Sequence, residues 1–463
     1  MAPEELPVTT LIGGVHEVQP PQQRIWRQLC SAQNVATPVD FRGAELQQLS
    51  RAPIGIAPDP AMEEREHDGV AAMHMPGLTT VVRSRAWRTE IAIASAGVVL
   101  IAAAIAANQA WLDRHFLPDF FIARETFVRT ENSVRVVVAL IGVALALIVR
   151  RPLANFLTRD PLRTFGVVLA VIASFGTAEL MLRRIHLRAR EEVPARKEPL
   201  RHRDVQLGWL FDPSRVGFQR GDGRRVRYAF DGNGYRVCRV TQRTDFDLPT
   251  VVFSGESMMV GEKLQWDETI PAQTASLLRV QSANIAVSGF ALDQQYLRLT
   301  RELPRFRRPL AVVTLFAPSL FDRTLDDDRP HLGSHLVWYP PRERWRLTAI
   351  ATRLLRYRSD ADIERGIEVT QEVLRATDAV VHSRGAMSLF VVPQFGEETP
   401  RERELRIRTL DAAEVPYVLV RLDPSWRVRD DEHPDARGAN AIAKAIAERL
   451  LKAGAFHAKR TGS

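Results

Sequence analysis

Between Ile91 and Leu112 the chain runs through Ala, Ile, Val and Leu without one charged side chain. At about 1.5 Å per residue in a helix, that run crosses a hydrocarbon core about 30 Å thick. Two shorter apolar runs follow, near 134–150 and 165–182; the first contains Arg135 and the second carries Glu179 near its end. Both charges lie where a side chain could snorkel to an interface. The spacing therefore predicts a membrane region over 89–185 with about three transmembrane helices, and the lipid bilayer is the first expected partner. Lys and Arg are dense on both sides of these runs, so the positive-inside rule does not orient them. An odd number of crossings puts the two ends of the chain on opposite faces. Cys30 and Cys238, the only cysteines, are then expected as free thiols that never meet.

The flanking segments differ in kind. Residues 1–88 mix Pro, Gln, Asp and Glu without a sustained period, which predicts a disordered or polar region. The residues after Met1 do not form a signal peptide. Residues 186–206 read as an Arg-rich linker and 456–463 as a tail. The net charge of +8 comes almost wholly from Arg, since Lys occurs only at 197, 263, 444, 452 and 459. These Arg residues do not gather into an aromatic-interleaved patch, which argues against a nucleic-acid partner. With two cysteines and no Cys/His ligand spacing, neither a metal nor a cofactor is expected. His331 and His335 read as a polar loop without a third ligand, and Asp326 to Asp328 as a solvated turn.

Over 207–455 short apolar runs alternate with amphipathic stretches, the rhythm of an α/β domain. Strands are predicted at 250–254, 284–287, 310–316, 387–392 and 417–420. Helices are predicted at 268–279, 293–303, 361–383, 401–413 and 436–452. Such alternation implies a flavodoxin-like, doubly wound parallel sheet with its site at the strand carboxyl ends.

Two loops carry residues suited to acyl chemistry. Val251-Val252-Phe253-Ser254 runs into Gly255-Glu256-Ser257, a turn that would expose Ser257 at the sheet edge as a nucleophile. Asp430-Asp431-Glu432-His433-Pro434 precedes the last amphipathic helix. There His433 could serve as base, with Asp430 folding back to orient the imidazole and Asp431 as the alternative acid.

Together these loops resemble the GDSL/SGNH hydrolase family in a membrane-anchored form. Its first block is similar to Gly255-Glu256-Ser257-Met258-Met259-Val260-Gly261, with Glu256 in place of the usual Asp. Its second block looks like Asn284-Ile285-Ala286-Val287-Ser288-Gly289 followed by Gln294, and its last block like Asp430, His433, Pro434 and Gly438. An upstream element of membrane-linked members is similar to Asp231-Gly232-Asn233-Gly234-Tyr235-Arg236. The third block diverges, because Ser319 aligns with the usual Asn.

The resemblance implies a Ser257, His433, Asp430 triad, with an oxyanion held by the N–H groups of Ser257 and Gly289 and by Ser319. It implies a membrane-tethered serine esterase or O-acyltransferase acting on an acylated glycan or lipid. The bacterial inner membrane is the expected location, with the catalytic domain periplasmic or otherwise extracytoplasmic. The competing expectation is an inactive SGNH-fold membrane protein that binds glycan or organises an export complex.

Overall fold

The computed structural model describes residues 76–116, 124–184, 198–221, 223–342, 344–354, 357–429, 431 and 433–454. Most of the polar amino-terminal segment, the first part of the Arg-rich linker, the tail and Asp430 fall outside this set.

Three helices are long and apolar enough to cross a membrane: Ala86–Ala106, Arg124–Arg159 and Leu162–Leu182. The first stops before Leu112 because Asn108 starts a new helix, Gln109–His115, accepting the Trp111 N–H at 2.9 Å. The second outruns its apolar centre, passing through a π-helical turn at Ala144–Val149. The first two approach backbone to backbone. A Cβ on Gly97 would meet the Gly142 carbonyl oxygen at 2.5 Å, and one on Gly142 would meet that of Gly97 at 2.7 Å. Small residues permit such contact where packing, not hydrophobic burial, holds helices together. The third helix leaves Leu162, Phe165, Ile172 and Leu180 exposed.

One end of this helical group meets the α/β domain. Arg114 and His115 pair with Asp360 at 2.7 and 3.1 Å, and the Arg358 N–H donates to the His115 carbonyl at 3.0 Å. Glu179 is buried and accepts the N–H groups of Arg346 and Leu347 at 2.9 and 3.0 Å, capping the helix Arg346–Leu354. Arg135 turns to the Ala104 carbonyl at 3.1 Å and to Asn132.

The α/β domain contains a hairpin of β1 (Arg201–Asp204) and β2 (Gly208–Phe211), then β3 (Val216–Gly221), β4 (Arg224–Phe230), β5 (Arg236–Val237) and β6 (Thr250–Ser254). Next come β7 (Gln281–Asn284), β8 (Pro309–Leu315) and a small hairpin of β9 (His331–Leu332) and β10 (Trp338–Tyr339). The last strands are β11 (Met387–Phe395) and β12 (Tyr417–Leu422). The main sheet has the order β12-β11-β8-β6-β7-β5-β4-β3. Its first five members are parallel, with Phe253 opposite Val313 and Val391 opposite Leu315. The remaining strands run antiparallel, joined where Arg236 faces Asn284.

The expectation of a wholly parallel sheet is thus corrected to a mixed one. Val251, Val252, Phe253, Val312, Val313, Val391 and Val392 are all buried, because helices cover both faces of the parallel part and select unbroken apolar runs. The added strands are charged along one side, with only Val226 and Tyr228 of the alternating Arg224–Tyr228 stretch buried. That pattern suits a sheet edge.

The free-thiol expectation is also corrected: Cys238 is disulfide-bonded. Cys30 is the sequence's one other cysteine and lies outside the described residues. A bridge within one chain would require both cysteines on one side of a membrane, against the opposite faces that three crossings imply.

Candidate active site

Ser257 stands at the carboxyl edge of β6, where the sheet order turns from β6 toward β7 on one side and β8 on the other. Such a switch point opens a crevice at the strand ends. The turn depends on Gly255, since a Cβ there would lie 2.5 Å from that of Met259 and 3.2 Å from that of Leu315. Ser257 then opens a short helix, Ser257–Val260, whose N-cap is Glu256: the Glu256 carboxylate accepts the Met258 N–H at 2.9 Å. Glu256 is 1% exposed. It also accepts the Ser257 hydroxyl, and Arg323 from the turn Pro318–Arg323 at 3.2 Å.

The other end of that helix is clamped from the upstream element. Arg236 is fully buried and donates from Nη1 to the carbonyls of Val260, at 2.6 Å, and Gly261, and from Nη2 to that of Leu264 at 2.5 Å. Its guanidinium carbon stands 4.3 Å from the centre of the Tyr228 ring. Asp231 sets up this arrangement by accepting the N–H groups of Asn233 and Tyr235 at 2.8 and 3.0 Å and the Thr244 hydroxyl at 2.9 Å.

His433 comes from the loop between β12 and the helix Ala436–Lys452. The Val428 N–H donates to the His433 carbonyl at 2.6 Å, and the Asp431 N–H to the Val428 carbonyl at 3.2 Å. Asp435 closes the loop by capping the helix through the N–H groups of Arg437 and Gly438. A Cβ at Gly438 would meet the Trp426 carbonyl at 3.1 Å and Pro434 at 3.2 Å, so glycine lets the helix start against its own entry loop. His433 Nε2 is 2.8 Å from Ser257 Oγ, across 176 residues of sequence, and Nδ1 contacts Asp431 Oδ1. The expected acid Asp430 lies outside the described residues; the alternative acid, Asp431, is the one the structure brings to the imidazole.

Charges around the imidazole set its proton affinity. Burial works against the imidazolium, but the hydrogen bond to Asp431 and the carboxylates of Glu262 and Glu256 outweigh it and hold His433 above its ordinary value. Glu262 is 3.7 Å from Nε2. Burial likewise opposes the Asp431 carboxylate, yet His433 and Lys263, which pairs with Asp431, carry its pKa down to about 2.

The second block packs beside the nucleophile, with the Ile285 N–H on the Phe253 carbonyl at 3.0 Å and the Val287 N–H on the Gly255 carbonyl at 3.1 Å. Gly289 has φ +81°, and a Cβ there would lie 3.2 Å from Trp209. Among the described residues, the N–H groups of Ser257 and Gly289 donate to no protein acceptor. Gln294 bridges the Ala291 N–H and the Leu207 carbonyl at 3.0 and 2.6 Å. Ser319 belongs to the turn Pro318–Arg323, and its side chain is outside the described set. Away from this site, His331 Nδ1 meets the Arg329 carbonyl, His335 pairs with Glu372, and Asp327 and Asp328 pair with Arg344.

Sequence reading missed Glu262, Lys263 and Arg323 and gave Arg236 no task. Lys263 had one faint signal, as one of so few lysines in an Arg-rich chain.

No family model matches the chain, and no curated protein does. Solved structures similar to part of it include a lipolytic protein of the G-D-S-L family from Desulfitobacterium hafniense, at 12% identity and TM-score 0.30, covering 44% of this chain and 99% of that one. A GDSL-like lipase from Bacteroides thetaiotaomicron matches at 14% identity and TM-score 0.29, covering 44% and 88%. A carbohydrate acetylesterase from Sinorhizobium meliloti matches at 12% identity and TM-score 0.30, covering 44% and 99%. At these identities and scores the likeness adds nothing to the geometry of the site.

Proposed function

We propose that this chain is a membrane-tethered serine esterase or O-acyltransferase whose nucleophile is Ser257. The observation that carries the reading is the 2.8 Å contact between Ser257 Oγ and His433 Nε2, with Nδ1 turned to a carboxylate. In this mechanism the Ser257 hydroxyl turns from Glu256 to His433 Nε2, which takes its proton as Oγ attacks the carbonyl carbon of an acyl ester. The imidazolium is stabilised by Asp431, with Asp430 as its neighbour on the loop. The N–H groups of Ser257 and Gly289, with Ser319, receive the negative oxygen. Collapse expels the alcohol, which takes the proton from His433, and leaves an acyl-enzyme. Water then gives hydrolysis and a sugar hydroxyl gives transfer. The substrate class is an acyl ester on an envelope glycan or lipid.

The three helices long and apolar enough to cross a membrane support the tethering. The catalytic domain is taken to lie on the extracytoplasmic side of a bacterial inner membrane, as the family resemblance implies.

The test is labelling of the full-length protein by a fluorophosphonate, followed by turnover of small acetyl esters. Labelling of wild type and its loss in Ser257→Ala is the expected result. An unlabelled wild type would favour the second reading, a glycan-binding protein without catalysis, for which the Ser319 replacement of an amide donor speaks.

A further inference from the structure

Lys263 sits six positions after Ser257, on the loop that leaves the nucleophile's helix. Its backbone has φ +61°, a left-handed conformation that side-chain-bearing residues adopt at some strain and that concentrates where function holds it in place. Three contacts hold it. Its N–H donates to the Tyr228 hydroxyl at 2.7 Å. Its stem lies on Gly221, where a Cβ would come within 2.7 Å of the Lys263 Cβ. Its ammonium pairs with Asp431 Oδ2, while Oδ1 of the same carboxylate faces His433 Nδ1. The side chains of Lys263 and Asp431 are 17% and 19% exposed, so this pair is not one of the solvated surface contacts that contribute little.

We propose that Lys263 is a positioning residue for the reaction: its ammonium group fixes the Asp431 carboxylate, and through it the imidazole of His433, against Ser257. The inference rests on the serine-hydrolase reading above. It explains a structural economy: the loop carrying the nucleophile also supplies the cation that anchors the loop carrying the base, so the two approach in one fixed geometry. Among the described residues, Asp431, Glu262, Glu256 and Ser257 face His433. Tyr228 lies on the Lys263 side, and Arg323 is engaged with Glu256. Lys263 is the cation paired with Asp431. Without it, the carboxylate turns its charge more fully on the imidazole and keeps it protonated to higher pH.

Lys263→Met, Lys263→Gly and Lys263→Arg in the full-length protein separate charge from backbone. Glycine accepts the left-handed conformation without strain, so Lys263→Gly removes the ammonium while preserving the turn. The expected result is a kcat loss of about 10- to 100-fold in both Met and Gly variants, the scale of a misplaced catalytic group. KM should stay within about twofold, and the acid limb of kcat/KM should move to higher pH. Lys263→Arg should recover most of the activity and the wild-type limb. Wild-type kcat and an unmoved limb in Lys263→Gly would overturn the proposal, whatever Lys263→Met does. The pH dependence of fluorophosphonate labelling and the titration of the His433 ring by NMR are followed alongside. A wild type that never labels sinks the hydrolase reading, while an upward shift of the His433 titration in Lys263→Gly still upholds the role of Lys263. An unmoved titration removes that role.

Discussion

Removing the guanidinium of Arg236 tests how the nucleophile's helix is held. Arg236 is fully buried, and its two terminal nitrogens reach the carbonyls of Val260, Gly261 and Leu264. Hydrogen bonds from a charged donor are worth about 1.5–3 kcal/mol each. Against this stands the desolvation of a buried cation, several kcal/mol, and burial does lower the Arg236 pKa. Arg236→Met removes that penalty with the bonds but strands the Val260 and Leu264 carbonyls, each at about 1–3 kcal/mol, while the Gly261 carbonyl keeps the Leu264 N–H at 3.1 Å. The net loss is about 2–6 kcal/mol. For a domain of this size, at about 2–4 °C per kcal/mol, the melting temperature should fall by about 10 °C. The assay is thermal unfolding of the detergent-solubilised full chain by tryptophan fluorescence, with ester turnover in parallel. Arg236→Lys should fall between wild type and Met, because one ammonium cannot span three carbonyls. An Arg236→Met protein that melts within 2 °C or so of wild type and keeps its turnover would refute the clamp.

Ser257→Ala and His433→Ala should each abolish nearly all turnover of a small acetyl ester, and the double variant should lose little more, because the two act as a unit; additive losses measured by steady-state kinetics would contradict this. Asp431→Ala should lower kcat strongly, and if Asp430 takes over the imidazole the Asp430→Ala/Asp431→Ala pair should fall further, to the His433→Ala level. Because His433 is held above its ordinary 6.5, kcat/KM should rise only as pH passes that raised value. The stabilisation given by the imidazolium, full below 6.5, is lost over the same rise. Glu262→Gln should move the acid limb to lower pH, and an upward movement would reverse the assigned electrostatics. Digestion without reduction should find Cys238 in a disulfide-linked peptide, and reporter fusions after Arg203 should be active only as an exported reporter. A link to Cys30 of the same chain would overturn the three-crossing topology, and a free Cys238 thiol would restore the original expectation.

Local pattern settled much of this protein. The apolar runs near 91–112, 134–150 and 165–182 correspond to helices because their composition alone makes water a poor solvent for them. Strands at 250–254 and 387–392 and the helices at 361–383 and 436–452 were legible for a similar reason: periodicity is a property of neighbours in sequence. So was the candidacy of Ser257 and His433, each at the end of a readable element. What lay beyond neighbours was decided by topology. Asp431 reaches the imidazole because the bonds between Val428, Asp431 and His433 turn that loop, and two adjacent aspartates in sequence are chemically alike. Glu179 caps a helix 167 residues away, where hydropathy saw only a charge near a span. The antiparallel extension β3 to β5, the Arg236 clamp and the Lys263 pair with Asp431 were equally hidden, because each joins segments that share no period. Sequence determined which stretches leave water and which residues can do acyl chemistry; the tertiary structure decided which of them meet, since contact depends on the path of the whole chain.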